Sequence, residues 1–263
     1  MFLLTITKHR LFWCAVIILS FLTQSSWAQR TRVEDAFAWY SQSVTVPVGP
    51  KWAIQEDGSV RWYGLNRNVS FLTLRLGLEY KITPSLSVTA GYTFFDQFKD
   101  KGGFFENRSE HRPWQQVMLR KSKGVYVMVH RFRVEERFFS EPLPEGRHRN
   151  YQYCRLRYMA SVQVSPFKKG TLKKGYFIAQ AEIMFHAGDA EYVVQSFDQY
   201  RFYPHVGYKV TSNLDLQAGY MYYYLINPAN TQETIGHTLR LSVLYVFRKK
   251  QKADPDEEFQ KRL

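Results

Sequence analysis

Charged side chains recur at every second position within residues 125–138, and this spacing is the first sign of chemistry in the chain. Arg131, Arg133, Glu135 and Arg137 share one parity, while the other parity is mostly apolar or aromatic. Because the side chains of a β-strand alternate between its two faces, the segment predicts a strand with one apolar face and one charged face. Arginine forks bind carboxylates in bidentate pairs, so the charged face can form ion pairs or bind anions.

Similar charges occupy the polar parity of other segments, and together they define a candidate site. The predicted inward-facing set is Arg75, Glu79, Glu110, Arg112, Arg131, Arg133, Glu135, Arg137, Arg155, Arg157, Glu182, Arg201 and Arg240. Three interpretations fit it: an ion-pair network that holds an interior together, a constriction whose excess of arginine favours small anions, and a specific ligand site. The network is favoured, because this many guanidinium and carboxylate groups would largely fill a narrow interior.

The histidines offer little for catalysis. A membrane hydrolase needs a serine or threonine nucleophile beside a histidine that a third group orients. None of the seven histidines precedes a serine by two positions, and the inward-facing His186 and His205 have no predicted nucleophile beside them. Possible metal ligands are dispersed, and no phosphate loop or dinucleotide fingerprint occurs. We predict no enzymatic activity, metal or cofactor; a hydrolase acting on lipid or lipopolysaccharide is the alternative.

The elements that must position these charges are strands. Two-faced alternation recurs in eleven segments between residues 36 and 247, with short turns alternating with longer loops such as residues 96–109 and 140–150. This layout is typical of a transmembrane antiparallel up-and-down β-barrel, whose apolar face meets lipid. Bacterial single-chain barrels have even strand numbers, so we expect 10–12 strands and favour twelve. Pro204 predicts a bulge or kink in its strand. A soluble periplasmic β-protein is the alternative fold.

The first 28 residues have the features of a secretory signal peptide. A basic stretch precedes a short apolar run, and the small residues Ser26 and Ala28 lie just before the predicted cleavage site, which follows Ala28. The predicted organisation is a signal peptide over residues 1–28, a barrel over residues 29–247 and a charged tail over residues 248–263. The formal net charge of +13 would raise the prospect of nucleic-acid binding, but export argues against that partner. Membrane lipid and lipopolysaccharide fit better.

The final strand resembles the C-terminal assembly signal of outer-membrane proteins, which ends in alternate aromatic residues. Tyr245 and Phe247 fill the aromatic places, Arg240 fills the polar place and Ser242 stands where glycine is usual. The chain continues sixteen residues past Phe247, which departs from the pattern. This resemblance implies that residues 236–247 (Gly236 to Phe247) engage the barrel-assembly machinery.

More broadly, residues 36–247 resemble the family called domain of unknown function 2490, exported β-barrel proteins of Gram-negative bacteria. The shared positions are Glu110, Arg112, Gln115, Gln116, Arg131, Arg133, Glu135, Glu136, Arg137, Phe138, Arg155, Arg157, Tyr158, Glu182, Gln199, Arg201, Gly219 and Tyr220. The resemblance implies a fold and a place in the bacterial outer membrane but no activity. We therefore expect a structural barrel or a narrow, anion-favouring pore with a lumen filled by arginine and glutamate.

Overall fold

A computed structural model describes residues 30–64, 69–100, 105–142, 147–167, 169–189 and 191–248. Within them the chain forms a closed barrel of eleven strands. The strands are β1 (Thr31–Pro47), β2 (Trp52–Tyr63), β3 (Val69–Lys81), β4 (Leu86–Asp100), β5 (Phe105–Lys123), β6 (Tyr126–Pro142), β7 (His148–Val164), β8 (Gly175–Ala187), β9 (Phe197–Lys209), β10 (Leu214–Ile226) and β11 (Gln232–Val246). The predicted signal peptide and residues 249–263 of the predicted tail lie outside the described residues.

Each strand pairs antiparallel with its neighbour in sequence, which confirms the predicted all-β, up-and-down barrel. The expected even strand number, and the preference for twelve, are wrong for the described part of the chain. With eleven strands, β1 and β11 run in the same direction where they meet. The Phe247 amide donates to the Thr45 carbonyl at 2.9 Å, and the hydroxyls of Ser41 and Ser242 lie 2.8 Å apart. Parallel strands also satisfy each other's backbone groups, so closure does not require an even count.

The predicted longer loops are mostly strand. β4 and β5 pair as far as Asp100 and Phe105, and β6 and β7 pair as far as Pro142 and His148. The polar residues of these stretches therefore belong to hairpins that extend the barrel at one end. Apart from a short 3₁₀ helix (Thr171–Lys174), strands are the regular elements of the described residues. No helix in that part of the chain has the length and apolar character needed to cross a membrane.

The outer face of the wall is apolar, as the alternation predicts. Leu72, Leu74, Leu76 and Leu78 on β3 are 38–53% exposed, while Thr73 and Glu79 between and beside them are buried. The same pattern continues around the barrel in Phe132, Leu156, Phe177, Val206, Leu216, Leu239 and Leu241, all of which are exposed. The burial pattern is thus the reverse of that in a soluble sheet, because polar side chains fill the interior.

The lumen is closely packed at its centre by Trp114, which is only 2% exposed. A Cβ atom at Gly77 on β3 or at Gly91 on β4 would collide with its indole ring. Glycine at these two paired positions therefore lets the ring lie against the backbone of both strands. The Arg133 guanidinium also lies over the Trp114 ring, 4.3 Å from its centroid.

The bulge predicted at Pro204 is absent, since β8 and β9 stay in register through Ala179 and Pro204, but the pairing of β9 with β10 is interrupted at Tyr203 and Pro204. The register shifts instead near the start of β9, where Met184 pairs with Gln199 and Phe185 with Phe197. Asp198 is the extra residue of this bulge, and a bulge redirects side chains that alternation would place on the other face. Asp198 and Gln199 are consequently both buried inside the barrel.

Candidate functional site: the charged lumen

All thirteen predicted charged residues lie on the inner face of the barrel, but they form separate groups rather than one. Ten of them form ion pairs on strands β5 to β9, with Glu110, Arg112 and Arg137 in one set and the other seven in a second set. We call this group, with Asp198 and His186, the ion-pair network. Its members are Glu110, Arg112, Arg131, Arg133, Glu135, Arg137, Arg155, Arg157, Glu182, Asp198, His186 and Arg201. The remaining three, Arg75, Glu79 and Arg240, lie elsewhere in the lumen.

Glu110 is completely buried and holds together the smaller set of the network. It accepts hydrogen bonds from Arg112, two positions along the same strand face, and from Arg137 across the β5–β6 pair, where Nη2 lies 2.6 Å from Oε1. Arg112 and Arg137 also stack on Phe95 and Phe139, at 4.1 and 4.7 Å from the ring centroids. The two guanidinium groups are thus fixed by a shared carboxylate and by aromatic faces.

Arg157 on β7 joins the two other glutamates. Its Nη1 atom lies 2.5 Å from Glu135 Oε1, and its Nη2 atom lies 2.8 Å from Glu182 Oε1. Glu135 also accepts a hydrogen bond from Arg155, and Glu182 Oε1 accepts one from Arg131 Nη2 at 2.6 Å. Glu110, Glu135 and Glu182 each have at least two guanidinium partners, the arrangement that a charge removed from water requires.

Asp198 extends the network through the bulge in β9. Its carboxylate lies 3.5 Å from Arg155 Nη1 and 3.3 Å from His186 Nε2. Strand parity alone would not have found Asp198, because the bulge is what turns it inward. Arg133 and Arg201 lie farther from their carboxylates, at 3.6 Å from Glu135 and 3.8 Å from Glu182, and donate hydrogen bonds to Gln116 and Gln199 instead. In all, seven guanidinium groups meet four carboxylates in the network.

The three residues outside the network have local partners. Arg75 donates to Asp57 at 3.1 Å, and Glu79 accepts from Gln55 Nε2 at 3.1 Å. Arg240 donates to the Ser41 hydroxyl at 3.2 Å through Nη2. These contacts lie on β1, β2, β3 and β11, across the lumen from the network.

A second cluster on that side was not predicted as a site. The Trp39 ring is surrounded by guanidinium groups: Arg61 lies 3.6 Å, Arg240 4.5 Å and Arg201 5.7 Å from its centroid. We call these four residues, with Tyr203, the Trp39 cluster; Arg240 also lies 5.2 Å from the Tyr203 ring. Phe37, Met221 and Tyr223 pack around it. Parity placed Arg61 on the polar face, but only the closed barrel brings β2, β9 and β11 together around β1.

The histidines considered for catalysis are held without a nucleophile in the described part of the chain. His186 faces Asp198, and His205 stacks on Tyr203 with ring centroids 4.0 Å apart. A serine–histidine contact occurs elsewhere: Ser140 Oγ lies 3.2 Å from His148 Nδ1 where β6 and β7 end. Seven residues separate Ser140 from His148 in the sequence, so the spacing of two that was considered for catalysis does not include this pair. Among the described residues, no three metal-ligating side chains are grouped together.

Comparisons with known proteins give a family match and a structural match. The model of a family described as protein of unknown function (DUF2490) matches residues 36–234. A solved structure described as the NanC porin in a rhombohedral crystal form aligns at 12% identity and a TM-score of 0.49, covering 80% of this chain and 97% of that chain. No curated protein matches the sequence.

Proposed function

The chain belongs to the family described as protein of unknown function (DUF2490), and because that description assigns no activity, we propose a function from the barrel itself. We propose that it is an outer-membrane β-barrel of a Gram-negative bacterium whose lumen forms a narrow, anion-favouring pore beside a structural ion-pair network. The observation that carries the pore is the partial exposure of the lumenal arginines that the network does not enclose, among them Arg61, Arg75 and Arg240.

The membrane location is supported by the apolar outer wall. Strands of 12–19 residues exceed the about 9–11 residues that a tilted strand needs to cross a bilayer. An apolar surface running around a whole barrel would be strongly unfavourable in water, whereas lipid matches it. Aromatic pairs lie at the end of the band that carries the short turns: Trp52 packs on Tyr80 at 4.6 Å, and Tyr245 on Phe247 at 4.8 Å. Such residues anchor a barrel at the membrane–water interface.

The exposure of the lumenal side chains supports a passage along one side of the lumen. The carboxylates of the network are buried, at 0–4% exposed. Half-buried polar side chains line the opposite side, on β2, β3, β10 and β11, and include Gln55, Asp57, Gln217 and Arg240. Water and small ions would therefore follow β2, β3, β10 and β11, where guanidinium groups would favour anions.

Single-channel conductance in a planar bilayer tests the pore. We expect small, steady openings of the wild type that favour chloride over potassium, and a weaker anion preference in Arg240→Gln. Lys173→Gln removes the same charge from an exposed connection outside the strands and should leave the preference unchanged. A silent wild type would contradict the pore and leave a structural barrel. Equal gel mobility with and without boiling would contradict the membrane barrel itself.

We also propose the partners that such a barrel implies. Membrane lipid and lipopolysaccharide would surround the apolar wall. The barrel-assembly machinery would engage residues 236–247, whose outward-facing Leu239 and Leu241 are 55% and 59% exposed. Replacing Tyr245 and Phe247 with alanine should reduce the amount of folded barrel in the outer membrane, measured by its heat-modifiable gel band. Unchanged insertion would contradict this role.

A hydrolase acting on lipid is a second candidate function, and one contact favours it. Ser140 contacts His148 at the rim of the barrel, and Ser140 also lines a cavity of about 420 Å³ together with Phe138 and Asn150. A serine beside a histidine is the minimum for acyl transfer. Release of fatty acid from phospholipid vesicles by the wild type, lost in Ser140→Ala, would support this function. Equal rates for the two proteins would exclude Ser140 as nucleophile.

A further inference from the structure

Two of the three guanidinium groups of the Trp39 cluster lack, within the described residues, the carboxylate partners that the ion-pair network provides. Arg61 and Arg240 form no ion pair within the described residues, and Arg201 reaches Glu182 only at 3.8 Å. Arg61 is the extreme case, since its guanidinium stacks on Trp39 and donates no hydrogen bond there. Positive charge is therefore concentrated around one indole ring.

Uncharged hydrogen-bond donors at the same place also lack acceptors. Within the described residues, the indole N–H of Trp39 and the hydroxyl of Tyr203 are buried without a hydrogen-bond partner, and the residues are 8% and 2% exposed. A buried donor without an acceptor costs about 1–3 kcal/mol. A group that carries several acceptor oxygens and a negative charge would satisfy these donors and the guanidinium groups together.

We propose that the Trp39 cluster binds a small oxyanion, a carboxylate or a phosphate, inside the lumen. Guanidinium forks match the paired oxygens of both groups, and three of them converge here from β2, β9 and β11. The aromatic side chains around them exclude water and strengthen the attraction. The inference rests on the proposed function in one respect, because the solute must reach the cluster along the open side of the lumen.

The cluster would also set the selectivity of the pore. An oxyanion held between Arg61 and Arg240 occupies the passage, so its departure would limit the current. A selective channel must bind its ion tightly enough for the ion to enter and weakly enough for it to leave. Chloride has no paired oxygens and would be held less tightly than phosphate or acetate.

Isothermal titration of the purified barrel in detergent tests the site without a membrane. Inorganic phosphate and acetate are the probes, each added against a chloride background of equal ionic strength. We expect saturable binding of at least one probe by the wild type and binding weaker by about tenfold or more in Arg61→Gln, because a charge-assisted hydrogen bond is lost. Lys173→Gln removes the same charge far from the lumen and should bind as the wild type does.

Three outcomes would overturn the site: no binding of either probe by the wild type, equal binding by Arg61→Gln, or equal loss in Lys173→Gln. Trp39→Leu is a second variant, in case Arg61→Gln does not fold. It keeps an apolar side chain in the cluster and should also weaken binding. Block of single-channel current by added phosphate would identify a free solute as the ligand. Phosphate binding that appears only after lipid and lipopolysaccharide are stripped away would identify a lipid phosphate. Binding in detergent by a barrel that does not conduct would contradict the pore and support the site.

Discussion

The two sides of the lumen hold the same kind of cation in different ways. In the ion-pair network on strands β5 to β9, each guanidinium group has a carboxylate partner, and the carboxylates are almost completely buried. Around Trp39, Arg61 and Arg240 lie against aromatic rings instead and remain half-buried. Matched buried charges mainly fix a structure, because removing either partner leaves the other uncompensated. Unmatched charges are free to bind something else, so the comparison assigns stability to one side and recognition to the other.

The largest effect should come from Glu135→Gln, which breaks the matched side. Glu135 is 1% exposed and lies beside Arg133, Arg155 and Arg157. The substitution keeps the shape of the side chain but removes the charge that the three guanidinium groups share. We expect the free energy of unfolding to fall by about 3–5 kcal/mol. Urea titration of the barrel in lipid vesicles would measure it, and a change below about 1 kcal/mol would mean that the network is dispensable.

A smaller effect is expected from Trp39→Leu on the unmatched side. Leucine still fills much of the space, but it removes the ring over which Arg61, Arg201 and Arg240 lie. Cation–π contacts contribute about 0.5–2 kcal/mol each, so we expect a loss of about 1–3 kcal/mol in the same urea titration. A loss as large as that of Glu135→Gln would show that both sides are structural and would remove the contrast between them.

The smallest effect should come from Glu79→Gln. Glu79 is buried on β3, but it accepts one hydrogen bond from Gln55 and has no guanidinium partner within the described residues. An amide can replace this carboxylate, and a single neutral hydrogen bond is worth about 0.5–1.5 kcal/mol. We expect a change in the free energy of unfolding of about 1 kcal/mol or less. A larger loss would show that carboxylates stabilise the lumen whether or not arginine faces them.

Alternation in the sequence was sufficient to predict the strands and the inward direction of all thirteen charged residues. It could not pair them, because the partners of Arg157 and Arg201 come from strands whose neighbourhood depends on the register of the whole barrel. Asp198 escaped prediction because a bulge reverses its direction, and a bulge leaves no mark in a pattern of period two. Trp39 and Arg61 escaped because closure brings distant strands together. The prediction of an even strand number was wrong because it came from the general rule for bacterial single-chain barrels and not from the eleven segments in the sequence.

That odd count has a consequence for the direction of the polypeptide. β1 and β11 run the same way, so the chain comes into the barrel beside the hairpin ends of β6 and β7 and leaves it beside the tight turn at Gly124. In the membrane location that we propose, a peptide fused before Thr31 and one fused after Val246 would lie on opposite sides of the membrane. A barrel with an even number of strands brings both ends of its strand series to one end of the barrel, whereas this one separates them.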